Sequence, residues 1–116
     1  MKKLLIAAAL TLAPAVAFAD TWTVNGAFGD AIKYTVTCDL TNTAGALAGT
    51  CTDPQGGANV NAKGTVSASA FELAYDTTYQ GAPLHLDYKG AVAADGSVSG
   101  AIDAGGPQGT FTATKK

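Results

Sequence analysis

Few side chains in this sequence have the types and spacing that catalysis requires. The single histidine is His85, and strand alternation places it with Asp87 on the face opposite the apolar residues. The four serines fall at predicted turns or on the same outer face, and none lies in a nucleophile elbow. Glu72 and Asp76 also share that face, so they lack the burial that a catalytic acid–base pair needs. The sequence therefore predicts a protein that is not an enzyme.

No cofactor or metal site is expected from the motifs. The sequence contains no phosphate-binding loop, no dinucleotide-binding fingerprint and no cluster of cysteine and histidine ligands. Nucleic acid is not an expected partner either. From Asp20 onwards the chain has five lysines, nine acidic residues and no arginine, whereas phosphate backbones are usually bound by clustered lysine and arginine.

Aromatic residues with polar tips are the strongest candidates for a binding site. Alternation places Trp22, Tyr34, Tyr75 and Tyr88 on the apolar face of predicted strands. Such rings suit a small apolar or aromatic ligand, whose orientation the phenol hydroxyls would fix. The alternative is a filled or nearly filled core, which we expect because so short a chain needs its large side chains for stability. The predicted function is therefore binding of a small apolar ligand or of a protein partner.

A polar loop offers a second candidate surface. Residues 76–83 combine uncharged polar side chains with Tyr79 and Gln80 at the predicted tip. Binding residues are disproportionately found on such loops. This loop is the predicted contact of a protein partner, and the alternative is a plain hairpin tip.

The first nineteen residues have the organisation of a secretory signal peptide. Two lysines precede an apolar run at 4–12, and an A-x-A cleavage site ends at Ala19. Cleavage before Asp20 would deliver a single domain, residues 20–116, to the periplasm or the exterior of a bacterial cell. A membrane anchor is the alternative, but the run is short and Pro14 interrupts it, so we expect no membrane span in the mature chain.

Two cysteines in an exported chain most simply form one disulfide. If Leu40 faces Gly49 across a short turn, then Cys38 faces Cys51 on the apolar side. A loop of this length implies a stabilisation of about 3 kcal/mol. Free thiols and a shared metal ion are the alternatives, although a metal ion would require more ligands.

Short alternating segments with frequent turn residues predict an all-β meander, and no segment after the signal peptide has a helical period. The eight predicted strands are Thr21–Phe28, Ile32–Asn42, Ala46–Asp53, Asn59–Ser67, Ala70–Tyr79, Leu84–Ala93, Ser97–Ala104 and Gln108–Thr114.

Antiparallel neighbours must present the same face, which limits the pairs at each turn. A three-residue loop at Ala94–Gly96 meets this condition. Pairing Tyr79 with Leu84 meets it too, and sets Tyr75 opposite Tyr88.

Glycines recur on the apolar face of the predicted strands, usually followed by alanine or threonine and a larger apolar residue. Inward glycine permits sharp coiling and the close approach of a bulky partner. We expect Tyr34 to lie over Gly26, and Phe111 over Gly100. Eight antiparallel strands of this kind predict a small up-and-down barrel that the first and last strands close. A two-sheet sandwich is the alternative.

The early Trp22, the glycine-rich meander and the closing Gly109-Thr110-Phe111-Thr112 together resemble lipocalin and avidin-like barrels. The lipocalin Gly-x-Trp opening is here Asp20-Thr21-Trp22. The resemblance spans residues 20–116 and implies an eight-stranded barrel that binds a ligand. No ligand residue is carried over from either family.

The chain also resembles small periplasmic metalloprotease inhibitors, which are exported eight-stranded barrels with one disulfide. That resemblance implies an inhibitor or envelope interaction module that acts through its loops. Those inhibitors insert an N-terminal arm into the protease. Here only Asp20 and Thr21 would precede Trp22 in the first predicted strand of the mature chain.

Overall fold

Alternating apolar and polar side chains build eight antiparallel strands, which a computed structural model describes over residues 17–53 and 57–116. Each strand pairs with the next along the chain, and the last pairs with the first, so the sheet closes into a barrel. The predicted fold class is confirmed, and the two-sheet sandwich is wrong. The strands are β1 (Ala17–Phe28), β2 (Ile32–Thr43), β3 (Ala46–Cys51), β4 (Val60–Val66), β5 (Ala70–Tyr79), β6 (Ala82–Val92), β7 (Val98–Asp103) and β8 (Gln108–Lys115).

The inner face of the sheet encloses one hydrophobic core. Buried and exposed side chains alternate along each strand, as in β5, where Phe71 and Leu73 are buried and Glu72 is exposed. Over the described residues, no charged side chain is buried. The buried core residues are Trp22, Val24, Val36, Cys38, Leu40, Leu47, Cys51, Ala62, Phe71, Leu73, Tyr75, Leu86, Tyr88, Val98, Ile102, Ala104, Phe111 and Ala113.

The hairpin of β2 and β3 contains the predicted disulfide. Leu40 pairs with Gly49, and Cys38 pairs with Cys51. Both cysteines are buried, and their sulfurs are bonded to each other. The alternatives of free thiols and a shared metal ion are therefore wrong. Across a sequence separation of 13 residues, the crosslink restricts the unfolded chain enough to contribute about 3 kcal/mol.

The pairing of β5 with β6 differs from the predicted pairing by two residues. Tyr79 pairs with Ala82 rather than with Leu84. The turn residues Gln80 and Gly81 have φ angles of 52° and 82°, a combination that closes a tight two-residue hairpin. A shift of two residues keeps every side chain on its predicted face. Alternation alone could not detect this error.

Strand β1 begins at Ala17, four residues before the predicted Thr21. The reason is that β2 continues to Thr43, whose backbone pairs with Ala17. The other strand bounds differ from the predicted ones by at most two residues. Cleavage before Asp20 stays a prediction, and residues 1–16 of the predicted signal peptide lie outside the described residues. In the described part of the chain, no helix has the length and apolarity of a membrane span.

Glycines allow the closest approaches inside the barrel. A Cβ atom at Gly26 would fall on the ring of Tyr34, as predicted, with the Tyr34 hydroxyl 2.6 Å away. A Cβ atom at Gly100 would overlap the backbone of β6, where the nearest atoms belong to Lys89 and Gly90. At both positions a ring or a neighbouring strand occupies the space that a side chain would need.

Replacement of Gly100 by alanine is expected to destabilise the fold. The new methyl group would overlap backbone atoms of Lys89 and Gly90, which cannot rotate away as a side chain could. Overpacking of this kind costs about 1–3 kcal/mol, measurable as a lower free energy of unfolding in urea. The control is Ser99→Ala at the exposed neighbouring position, which should change that free energy by less than about 0.5 kcal/mol. Equal stability of Gly100→Ala and the wild type would contradict this packing.

Candidate functional site

An open cleft lies at one end of the barrel, which we call the upper end. This end carries the turns between β1 and β2, between β5 and β6, and between β7 and β8. The cleft has a volume of about 360 Å³, near the lower limit of the roughly 300–1,000 Å³ that small-molecule sites occupy. Most of its lining is apolar and includes Phe28, Ile32, Tyr79, Leu84, Leu86 and Pro107. We call it the upper cleft.

The strand ends explain why this surface is apolar. Phe28 ends β1 and Ile32 begins β2, and their pairing places both side chains on the inner face. Because the strands stop there, no further layer of described residues covers the uppermost inner side chains, and Ile32 remains 38% exposed. Phe28 and Ile32 were predicted only as strand ends and not as site residues. Their position beside turns at one end of the barrel is the signal that could have identified them.

A hydrogen-bonded chain of three tyrosine hydroxyls begins at the upper cleft. Tyr34 lines the cleft, and its hydroxyl oxygen lies 2.6 Å from that of Tyr88. The Tyr88 hydroxyl oxygen lies 2.6 Å from that of Tyr75. Tyr75 and Tyr88 are buried, whereas Tyr34 is partly exposed. We call these three groups the hydroxyl chain.

The hydroxyl chain crosses the interior of the barrel. Tyr75 on β5 was predicted to pair with Tyr88 on β6, but it pairs with Leu86. Tyr75 and Tyr88 are therefore diagonal neighbours. The ring centroids of these two tyrosines are 5.6 Å apart. Tyr34 reaches them from β2, which is not adjacent to β5 or β6 in the sheet. Three of the four predicted ligand-binding residues therefore meet through their polar tips.

Burial keeps the three phenols protonated. Desolvation raises the pKa of Tyr34 above its ordinary value, and it raises the pKa of Tyr75 and of Tyr88 further. Loss of water disfavours the phenolate because the charged form depends more on solvation than the neutral form. At neutral pH the hydroxyl chain is therefore an uncharged set of donors and acceptors.

Trp22 lies in the same interior but away from the hydroxyl chain. Its ring packs against Phe71 with centroids 5.1 Å apart, and the ammonium of Lys115 lies 5.7 Å from the centroid of the indole. The buried indole nitrogen has no hydrogen-bond partner among the described residues. Trp22 pairs with the disulfide residue Cys38 and lies toward the lower end, where the described chain begins and ends. The structure does not bring it together with the three tyrosines.

The two predicted partner-loop residues occupy a tight turn above the cleft. Tyr79 is 40% exposed and also lines the upper cleft. Gln80 is exposed at the first central position of the turn. The predicted loop is therefore shorter than expected, with only Gln80 and Gly81 between the paired residues.

His85 forms contacts on the outer surface that the sequence analysis missed. Its Nδ1 atom lies 2.7 Å from a carboxylate oxygen of Asp76, and its Nε2 atom lies 3.2 Å from one of Asp87. Asp76 is directly across the strand pair from His85. The missed register hid this pair, although the outer location of all three residues was predicted. No group of three or more histidine, cysteine or acidic side chains is placed to hold a metal ion within residues 17–53 and 57–116.

The His85 contacts predict a measurable titration. The hydrogen bond to Asp76, aided by the charge of Asp87, raises the pKa of His85 above 6.5. The contribution of protonated His85 to the free energy of unfolding should be complete below about pH 6.5. It should be lost as the pH rises through the raised pKa of His85 in the folded state. NMR titration of the imidazole should give a pKa above 6.5 in the wild type and a lower one in Asp76→Asn. The control Glu72→Gln, on the same face of β5, should leave it unchanged. An unshifted wild-type value would contradict the contact.

Comparison with protein-family models, curated proteins and solved structures finds no match to this chain. The closed eight-stranded antiparallel barrel is compatible with the lipocalin and avidin-like resemblance at the level of architecture.

Proposed function

We propose that this protein is an exported, non-catalytic barrel that binds a small apolar ligand in the upper cleft. The observation that carries the proposal is the cleft itself, with a volume of about 360 Å³ and a lining that is mainly hydrophobic. A concave apolar surface with a few polar groups is the usual form of a small-molecule site. Here the polar residues of the lining include Tyr34, Thr77 and Thr78.

The packed interior supports a ligand at the end of the barrel rather than at its centre. Below the upper cleft, Phe111 contacts both Phe71 and Tyr88, with ring centroids 6.2 and 5.1 Å apart. These side chains occupy the space that a central ligand would need. The Tyr88 hydroxyl also bonds to that of Tyr34, so a ligand would meet a cleft that is largely formed before binding. A preformed site reduces the entropic cost of association.

Exposed hydrophobic side chains at the cleft mouth supply part of the driving force. Ile32 and Tyr79 are 38% and 40% exposed. Covering such surface yields about 25 cal/mol for each Å² of apolar area removed from water. The partner-binding alternative relies on the same exposed tyrosine. Because Ile32 and Tyr79 line one concave cleft, a small ligand accounts for their exposure more directly than the flat surface of a protein partner does.

The arrangement of ionisable groups supports a role without catalysis. Among the described residues, Lys33 is the only charged one in the cleft lining, and the tyrosines nearby are held neutral by burial. His85 points away from the interior, although its neighbours Leu84 and Leu86 line the cleft. Within residues 17–53 and 57–116, the cleft thus has no paired acid and base of the kind that proton-transfer chemistry requires.

The proposal predicts saturable binding of N-phenyl-1-naphthylamine, a neutral apolar dye whose fluorescence rises in apolar surroundings. Ile32→Glu should weaken binding about tenfold or more, because the bound dye would press against a carboxylate that needs water. Ala101→Glu is the matched control, since it adds the same charge at an exposed position on β7 outside the cleft.

Dye fluorescence gives the dissociation constants, and thermal unfolding checks that both variants fold. Absence of saturable binding by the wild type, or an equal loss in the two variants, would contradict a ligand site at the upper cleft.

A further inference from the structure

The polarity of the hydroxyl chain bears on which ligand the upper cleft selects, and this inference rests on the proposed ligand-binding function. Three phenols carry three hydroxyl hydrogens. The two hydrogen bonds that join Tyr34, Tyr88 and Tyr75 use two of them. In an open chain, one hydrogen is left for a further acceptor, and its position depends on the direction in which the chain donates. Tyr34 and Tyr75 also interact directly, and a bond between these two hydroxyls would close the chain into a ring and leave no hydrogen.

The position of least cost for that hydrogen is Tyr34. Tyr88 and Tyr75 are 1% and 2% exposed, and a buried donor without an acceptor is unfavourable. Tyr34 is the partly exposed member and lines the upper cleft. The chain then donates from Tyr75 to Tyr88 and from Tyr88 to Tyr34, which leaves the Tyr34 hydrogen available. The negative charge of Asp53 helps to raise the pKa of Tyr75. A hydrogen bond from Tyr75 to Asp53 would reverse the direction of donation, and the spare hydrogen would then not be at Tyr34.

Donation along the chain also makes the Tyr34 hydroxyl a stronger hydrogen-bond donor. A hydroxyl that accepts a hydrogen bond becomes a better donor, because each bond polarises the next. Gly26 supports this arrangement, since any side chain at that position would displace the Tyr34 ring and hydroxyl. The Tyr34 ring thus fills the space that glycine at position 26 leaves open. The bond to Tyr88 then fixes the position of the Tyr34 hydroxyl.

We propose that the upper cleft selects small apolar molecules that carry one neutral hydrogen-bond acceptor, such as a ketone or ester carbonyl, and that the Tyr34 hydroxyl donates to this oxygen. The apolar lining contacts the body of the ligand, and the acceptor enters next to Tyr34. Tyr88 and Tyr75 are positioning residues, because they orient the Tyr34 hydroxyl without contacting the ligand.

A neutral acceptor fits the site better than a carboxylate does. The hydroxyl chain has no positive charge to offset the desolvation of an anion. Lys33, the one charged residue that the described part of the chain contributes to the lining, is exposed on the outer side of β2. It can hold an anionic group only at the mouth of the cleft, away from the hydroxyl chain.

The test compares two ligands of nearly the same shape. In 2-acetylnaphthalene a carbonyl oxygen can accept a hydrogen bond, whereas in 2-isopropenylnaphthalene a CH₂ group replaces that oxygen. Isothermal titration calorimetry of the full exported chain should show that the ketone binds roughly fivefold to tenfold more tightly, as expected for one added hydrogen bond. This comparison uses the wild-type protein, so it does not depend on how well any variant folds.

Two matched variants then locate the donor. Tyr34→Phe keeps the ring and removes the hydroxyl, so the ketone and the alkene should bind with a ratio near one. Thr114→Val removes a hydroxyl at an exposed position on β8 outside the cleft, and it should preserve the wild-type ratio.

Each remaining outcome has one meaning. Equal binding of both ligands by the wild type would overturn the selection of an acceptor while leaving the apolar cleft intact. A hydroxyl chain that donates in the reverse direction, or one closed into a ring, would give this result. A preference for the ketone that survives Tyr34→Phe would overturn the role of Tyr34. Failure of both ligands to bind would instead overturn the proposed function, and the inference with it.

Discussion

Packing of aromatic rings inside a narrow closed sheet is the constraint on which the rest of this structure depends. The interior of an eight-stranded barrel is just wide enough to be filled by side chains. Here the rings of Trp22, Phe71 and Phe111 follow one another along the barrel, and Phe111 meets Tyr88 edge to face with centroids 5.1 Å apart. The sheet accommodates them because positions such as Gly100 have no side chain, which lets strands and rings approach closely.

The change in polarity along this row of rings links the core to the proposed site. Toward the lower end the aromatic groups are hydrocarbon or indole, and the buried indole nitrogen of Trp22 has no partner among the described residues. Toward the upper end, where Phe28 stacks on Tyr34, three tyrosine hydroxyls bond to one another across the interior. Buried polar groups that satisfy each other fix a single arrangement of the side chains around them. The three tyrosines thus complete the core, and one of them, Tyr34, also lines the cleft.

The outer surface follows a different rule, because water and not packing surrounds it. His85 is held by Asp76 and Asp87, yet all three are largely exposed. Exposed ion pairs contribute little to stability, so this cluster affects titration more than folding. Strand alternation keeps it on the opposite side of the sheet from Leu84 and Leu86. The chemistry of the one histidine is in this way separated from the cleft.

The sequence by itself determined the elements that depend on local alternation and on turn residues. Alternation identified all eight strands, the inner face and the match of Cys38 with Cys51, because a period of two and a short turn leave few registers. It could not distinguish registers that differ by two residues, and so it mispaired Tyr79. Only the tertiary structure decided which inner residues meet across the barrel, since the contact of Tyr34 with Tyr88 joins strands that are not neighbours in the sheet. It also separated Trp22 from the tyrosines and left the cleft open at one end, because both depend on where the strands stop and how the closed sheet coils.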